Sequence, residues 1–526
     1  MSTPLPPRRP PRRNRSGLGT ALPGIALITA SLLPTMFSRS ASVPSVTATT
    51  QPPAAVSTTT TTGTSQGKIF FGSLHSHTSY SDGTGTPADA FAMARDIGKM
   101  DFIALTEHNH KDADGSGERK DGILIALQPN LYNGSDGASL LSAAKSFTVD
   151  DSFVAIAGQE FSTISSGNHA NVFDVKDIIT VPNGDYRALY DTWLPAHPDS
   201  LGQAPLVQFN HPNFKADLFN ASTKPKEREN DYGYDDYNKN FVELQKHSEK
   251  YVSLIEMVSG PALTDDKDLP IKTGNRHERD YWFYLNEGFR VAPTANQDNH
   301  FRTWGTITAA RTAVLADRLT KAGLLQAMKA RRVYATEDRN LKVFFTVNGQ
   351  PMGSIIRTQN PLDLTIEVQV SDPDEPNAEY KIELYRDEVG GDMIDDSIDE
   401  AELEGDGSVS FTDQRFESGR SYVFVKIIQE GANNKEDFAW TAPVWIETGP
   451  PLPPPPQPSP SPSASPGASP GATPAATQMF VHSRNSNKYH FANCADVARI
   501  KPQNRIETSQ EPEDKTLHAG CPRRSN

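Results

Sequence analysis

Between residues 67 and 340 the chain repeats one local pattern, a short run rich in Val, Ile and Phe that stops abruptly at polar residues. The runs are KIFFGSLHSH, DFIALTEHNH, FVAIAGQE, HANVFDV, PLVQFNHPN, VSLIEMVSG and RVAPTANQDNH. A run apolar on both faces is what a buried parallel strand requires. Stretches such as PADAFAMARDIG and RDYWFYLNEGF between the runs read as helical crossovers. Seven such units predict a barrel-like α/β domain, in which chemistry collects at the C-terminal ends of the strands.

From residue 341 to 448 the pattern changes to alternation, in LKVFFTVNG, LDLTIEVQVSD, YKIELYRD, GSVSFTD, SYVFVKIIQE and APVWIETG. Six short strands with Asn-Gly, Asp-Gly and Asp-Pro turns predict a small antiparallel β-sandwich. Its insert DEVGGDMIDDSIDEAELEGDG is strongly acidic but lacks the ligand spacing of an EF-hand. It reads as a solvated loop, with adventitious calcium binding as the alternative.

The remaining segments have no core pattern. Arg8, Arg9, Arg12, Arg13 and Arg15 precede an apolar run from Gly17 to Phe37, and small residues follow to Ala41. Residues 1–41 therefore read as an export signal, against an uncleaved anchor or a disordered cytoplasmic tail. Residues 42–66 read as a disordered Ser/Thr/Ala/Pro spacer and residues 449–478 as a Pro/Ser-rich tether. Residues 479–526 form a separate small α+β module. The expected location is secreted, periplasmic or cell-surface.

A net charge of −14 without a long Lys/Arg stripe gives no strong nucleic-acid signal. Two cysteines exclude a disulfide scaffold and an iron–sulfur protein. Any metal in the barrel must then be held by His, Asp and Glu, and these gather at the strand ends. His75 and His77 end the first run at i, i+2, a spacing that points both imidazoles to one face of a strand. Asp82 follows in YSDG, and the second run ends in Glu107, His108 and His110. Glu160 ends the third run, His169 opens the fourth, His211 ends the fifth, and Asp298 and His300 end the seventh. One such histidine alone is ordinarily a surface or capping residue. Imidazole and carboxylate together suit zinc, manganese or iron.

LHSHTSYSDG, ALTEHNH, GQEFS, FNHPN and NQDNH, in that order, resemble the motifs of the polymerase and histidinol phosphatase (PHP) family of metal-dependent hydrolases. The resemblance covers residues 68–340 and is nearest the secreted branch that includes carbaryl-type hydrolases. It implies a distorted (β/α)7 barrel of parallel strands and a di- or trinuclear site. His75, His77, Glu160 and Asp298 would hold the first metal. Glu160 would bridge to a second held by His169 and His211, and Asp82, His108 and His300 would hold the third. Glu107 would orient a ligand imidazole. Clustered ions lower the pKa of a bound water and supply hydroxide.

The implied activity is that of a phosphoesterase acting on a small-molecule phosphate ester. A carbamate or amide hydrolase and a non-catalytic cell-surface binding protein are the alternatives. Asp298 and His300, with His110 and Arg302, are the candidate catalytic set. Lys111, Arg276 and His277 are further candidates for binding a substrate anion or protonating a leaving group. Glu256 reads as a hydrogen-bonding residue, and His197 and His247 as ordinary surface residues. The terminal module resembles a small zinc-binding-like domain appended to some secreted nucleases and DNA-uptake proteins, with its closing Pro-Cys pair reduced to Cys521. His490, Cys494, His518 and Cys521 are compatible with a separate tetrahedral zinc. A Cys494–Cys521 disulfide and free thiols are the rival readings. The sequence does not speak to oligomeric state.

Overall fold

The computed structural model describes residues 67–109, 125, 128–135, 137–161, 169–182, 185–212, 241–262, 264, 276–391, 396–430 and 436–450, with four short strands between 480 and 517. The expected strands form as β1 (Lys68–Ser73), β2 (Phe102–His108), β3 (Val154–Phe161), β4 (Ala170–Phe173), β5 (Val207–Phe209), β6 (Val252–Ser259) and β7 (Ala292–Asn296). In β2, β3 and β6 every residue is buried, as runs covered on both faces demand.

The closed seven-stranded parallel barrel does not form. Ladders β1–β2, β2–β3, β5–β6 and β6–β7 are parallel, but β4 is antiparallel to both β3 and β5. The other edge of β1 is taken by antiparallel β8 (Arg311–Ala316), which pairs in turn with β9 (Val333–Thr336). Among the described residues no backbone ladder joins β7 to β8, so the sheet is open there. The Thr312 hydroxyl bridges the seam instead, within 3.0 Å of the Ala295 amide and carbonyl and of Asn296 Oδ1. At the site end the sheet curls until Ser76 and Asn299 form a lone parallel bridge and the His77 amide donates to the Asn299 carbonyl at 2.9 Å.

Helices among the described residues are few and short. In α1 (Pro87–Asp96) Thr86 and Asp89 form a reciprocal capping box and Pro87 sits at the first turn. Its buried face, Ala90, Phe91 and Ala94, packs with α2 (Leu140–Phe147) over β2 and β3 and beside Trp304. The others include α3 (Phe241–Ser248), α4 (Glu278–Asn286) and α5 (Lys321–Lys329). No helix among the described residues is long and apolar enough to cross a membrane.

After Asn340 a two-sheet sandwich forms. One sheet contains β10 (Lys342–Val347), β11 (Gln350–Pro351), β13 (Leu362–Ser371) and β16 (Gly407–Phe416). The other contains β12 (Ile355–Thr358), β14 (Glu379–Glu388), β15 (Asp399–Glu404), β17 (Arg420–Glu430), β18 (Glu436–Thr441) and β19 (Val444–Thr448). Alternation does its work in β13, where Leu364, Ile366, Val368 and Val370 are buried. β12 pairs with β19 in parallel, a departure from the antiparallel pattern. Part of the acidic insert is the edge strand β15 rather than a loop. The second sheet continues into the sheet of β1 to β9 through the antiparallel pair β18–β9. Beyond 479, β20 (Phe480–Ser483), β21 (Lys488–Phe491), β22 (Arg505–Thr508) and β23 (Thr516–Leu517) form a small sheet. Cys494, His518 and Cys521 lie outside the described residues, as do residues 1–66.

Candidate metal centre

Nine of the side chains singled out in the sequence converge at one end of the sheet. His75 and His77 continue β1, and His108 and Glu160 are in β2 and β3. His211 follows β5, and Asp298 and His300 follow β7. His169 opens its run instead of ending it because β4 is reversed, so its N-terminal end lies with the C-terminal ends of its neighbours.

Glu160 is the hub. Its carboxylate is fully buried and lies 3.2 Å from His75 Nε2, 3.3 Å from His77 Nε2, 2.9 Å from His108 Nδ1, 3.0 Å from His169 Nδ1 and 3.1 Å from His211 Nε2. Asp298 Oδ1 stands 3.2 Å from both His75 Nε2 and His77 Nε2, which are themselves 3.2 Å apart. Asp82 approaches His300 Nε2 at 3.1 Å and His108 Nε2 at 3.7 Å. Four donor sets have one atom from each member within 4.8 Å of the rest. They are His77, Asp82, His108 and His300; His75, His211 and Asp298; His75, His77 and Glu160; and His108, Glu160 and His169. His77 thus stands between the position assigned to it and the Asp82 position.

Surrounding groups fix which nitrogen faces the cluster. Glu256, fully buried on β6, accepts a hydrogen bond from His75 Nδ1–H at 2.9 Å, so that Nε2 faces the cluster. Glu256 is itself held by the His211 amide at 2.6 Å and Asn296 Nδ2 at 3.1 Å. His77 Nδ1 lies 3.3 Å from Ser81 Oγ, whose hydroxyl donates to Glu107. Glu107 therefore orients the His77 imidazole through Ser81. His300 Nδ1 donates to the Asp298 carbonyl at 2.8 Å. Trp304 Nε1 donates to the His77 carbonyl at 3.1 Å and anchors the backbone from below. His211 (φ 27°) and Asp298 (φ 46°) occupy the left-handed region, a strained backbone that persists only where neighbours enforce it. They are also more open to solvent than His75 and His77, with side chains 21 % and 14 % exposed.

The electrostatics describe a place for cations. Burial favours neutral imidazole, yet Asp298, Glu160 and Glu256 hold the His75 pKa well above its ordinary value. Against the same burial, hydrogen bonds to Asp298 and Glu160 push His77 up to about 10. Burial would raise Asp82, Glu160 and Asp298, but the imidazoles hold all three below the usual carboxylate range. His169 is shifted down, chiefly by burial. Its Nε2 is buried without a hydrogen-bond partner among the described residues. Protons shared among crowded imidazoles and carboxylates are what a divalent ion displaces on binding. The nitrogen and oxygen donors fit zinc, manganese or iron.

Several expected substrate-binding residues are elsewhere. Arg276 makes a two-point ion pair with Glu337 at 2.5 and 2.7 Å and lies over the Phe438 ring, so its charge is committed to the sheet junction. Arg302 pairs with Asp89 at 3.3 Å on the surface, and none of its described contacts reaches the cluster. His277 lies 3.5 Å from Asp280. His110 and Lys111 fall outside the described residues. His197 stacks on Trp193 and His247 pairs with Asp191, away from the cluster.

No family model and no curated protein matches the chain. Among solved structures it is similar to a two-domain protein of Bacteroides vulgatus ATCC 8482, described as containing a predicted PHP-like metal-dependent phosphoesterase. The identity is 13 %, the TM-score 0.33, and the match covers 73 % of this chain and 97 % of that one. The cluster, rather than this distant likeness, carries the functional reading.

Proposed function

We propose that the chain is a metal-dependent hydrolase of the PHP kind that acts on small-molecule phosphate esters. The observation that supports this most is the convergence of five imidazoles on the buried Glu160 carboxylate, with Asp82 and Asp298 beside them. When bound, two or three divalent ions would supply a hydroxide nucleophile and offset charge on the phosphoryl oxygens. His75, His77, Glu160 and Asp298 would hold the first ion, His169 and His211 the second, and Asp82, His108 and His300 the third. Glu256 and the Ser81–Glu107 pair keep the two N-terminal imidazoles aimed inward. The more open Asp298 and His211 would admit the ester. The reading includes export, for which residues 1–41 supply the sequence signal.

A screen of phosphomonoesters, phosphodiesters and aryl carbamates with metal-loaded protein tests it. Turnover of a phosphate ester that disappears in His75→Ala with Asp298→Ala is the expected result. Activity that survives the double substitution, or turnover confined to carbamates, overturns the phosphoesterase reading.

A further inference from the structure

A second group of acidic side chains lies where the β1–β9 sheet passes into the sandwich. Asp338 and Asn340 follow β9, Asp372 and Glu375 follow β13, and Asp406 lies in the β15–β16 turn. Tyr380 on β14 and Gln429 on β17 complete the group. Asp372 is fully buried; among the described residues no Lys, Arg or His makes an ion pair within 4.0 Å of Asp338, Asp372, Glu375 or Asp406, and Arg311 acts on Asp338 only through its field. Its Oδ1 accepts from the amides of Asp374 and Glu375 at 2.9 and 3.2 Å.

Independent of these acids, three oxygens at the same place are buried without a hydrogen-bond partner among the described residues: Tyr380 Oη, Gln429 Oε1 and Asn340 Oδ1. Tyr380 and Gln429 are only 2 % and 1 % exposed. Gln429 Nε2 donates to Asp372 Oδ2 at 2.8 Å and to Glu375 Oε2 at 3.1 Å, so the carboxamide that carries the orphan Oε1 packs against this acidic group. The Tyr380 hydroxyl lies in the field of Asp372, Asp406, Asp338 and Glu375, and burial with that field raises its pKa. Burial and repulsion from Asp372 and Asp338 likewise raise Glu375. Orphaned acceptors among unpaired like charges are costly, and a cation removes both costs together.

The donors are all oxygens, so the cation is a hard one. The only donor sets of three or more His, Cys, Asp or Glu within 4.8 Å among the described residues belong to the metal centre. At most two carboxylates here can therefore share an ion, with amide oxygen and water completing the shell. That mixed, irregular set suits calcium, which accepts six to eight oxygens flexibly, better than magnesium, which demands an octahedron. We propose that this junction is a calcium site. Asp372 and Glu375 supply the carboxylates, Gln429 Oε1 an amide oxygen, and Tyr380 and Asp338 hold the ion's waters. The ion ties the end of β9 to β13, β14 and β17, and so clamps the sandwich to the β1–β9 sheet. Nothing in it depends on the hydrolase reading.

Calcium chloride titrated calorimetrically into chelator-stripped, full-length protein tests the site, with magnesium as control. One calcium per chain with Kd of about 10⁻⁴ M is expected, accompanied by a rise in Tm. Asp372→Asn, which keeps the oxygen that caps Asp374 and Glu375, is expected to weaken binding about tenfold or more. Tyr380→Phe removes only the hydroxyl and is expected to weaken it severalfold while leaving the calcium-free Tm near wild type. His75→Ala is expected to bind calcium normally. Absence of saturable binding at millimolar calcium, unchanged affinity in both junction variants, or loss of binding in His75→Ala overturns the proposal.

Discussion

Glu256→Gln changes one atom and isolates the orienting role of a residue that would touch no substrate. The carboxylate accepts from His75 Nδ1 at 2.9 Å, Asn296 Nδ2 at 3.1 Å and the His211 amide at 2.6 Å. It therefore receives three donors on two oxygens in a fully buried place. Glutamine offers one acceptor oxygen and one donor NH2, so in either orientation at least one of the three donors faces another donor. A buried donor left unsatisfied costs about 1–3 kcal/mol. Loss of the partner that orients a ligand imidazole costs about 10–100-fold in metal affinity. That fold-change is about 1.4–2.7 kcal/mol. Zinc affinity measured by competition with a chromogenic chelator should fall by that factor, and a urea midpoint should fall in parallel. An affinity within twofold of wild type, with the fold intact, would refute the argument that Glu256 sets the His75 tautomer.

Three further outcomes follow from the same geometry. In metal-free protein, His77 carries a pKa raised from 6.5 to about 10, so its contribution to stability is full below pH 6.5 and is lost as pH rises towards 10. Asp82 and Asp298, lowered from 3.8, contribute above that pH and lose their contribution as pH falls below it. Urea melts with chelator should show the alkaline loss, and metal-loaded protein should not; identical profiles would contradict the exchange of proton for metal. Ser81→Ala interrupts the link between Glu107 and His77 and should weaken metal binding by about tenfold, read by the same chelator competition. Arg276→Ala leaves the Glu337 side chain, 1 % exposed, without its partner and should destabilise the fold by about 3 kcal/mol. KM for a phosphate ester should be unchanged by it; a raised KM would return Arg276 to the substrate site.

How much was legible in the sequence differs between the strands and the way they join. Short apolar runs that stop at polar residues located β1 to β7 because burial on both faces leaves a local mark. The direction of β4 left a subtler one, a histidine at the start of its run, where the runs of β1, β2, β5 and β7 carry theirs at the end. The open seam at β7–β8 depends on Thr312 meeting Ala295 and Asn296 across the fold, a tertiary event with no local pattern. The continuation of the β1–β9 sheet into the sandwich likewise depends on β9 finding β18, about 100 residues later. The histidines and carboxylates of the candidate centre were visible as residue types at strand ends, with Asp82 in the loop after β1. Arg276 and Arg302 were proposed for their place near the motifs, and adjacency in sequence did not predict that Glu337 and Asp89 would claim them. Glu256 sat in IEMVSG with one carboxylate among apolar residues, and its hydrogen-bonding role was legible while its partners were not.

The central claim is that the nine converging side chains hold metal. Elemental analysis of purified full-length protein, made side by side for wild type and Glu160→Gln, tests it most directly. Two to three equivalents of zinc, manganese or iron per wild-type chain and a loss of at least one in the variant are expected. Less than one equivalent in the wild type, after incubation with each metal in turn, would contradict it.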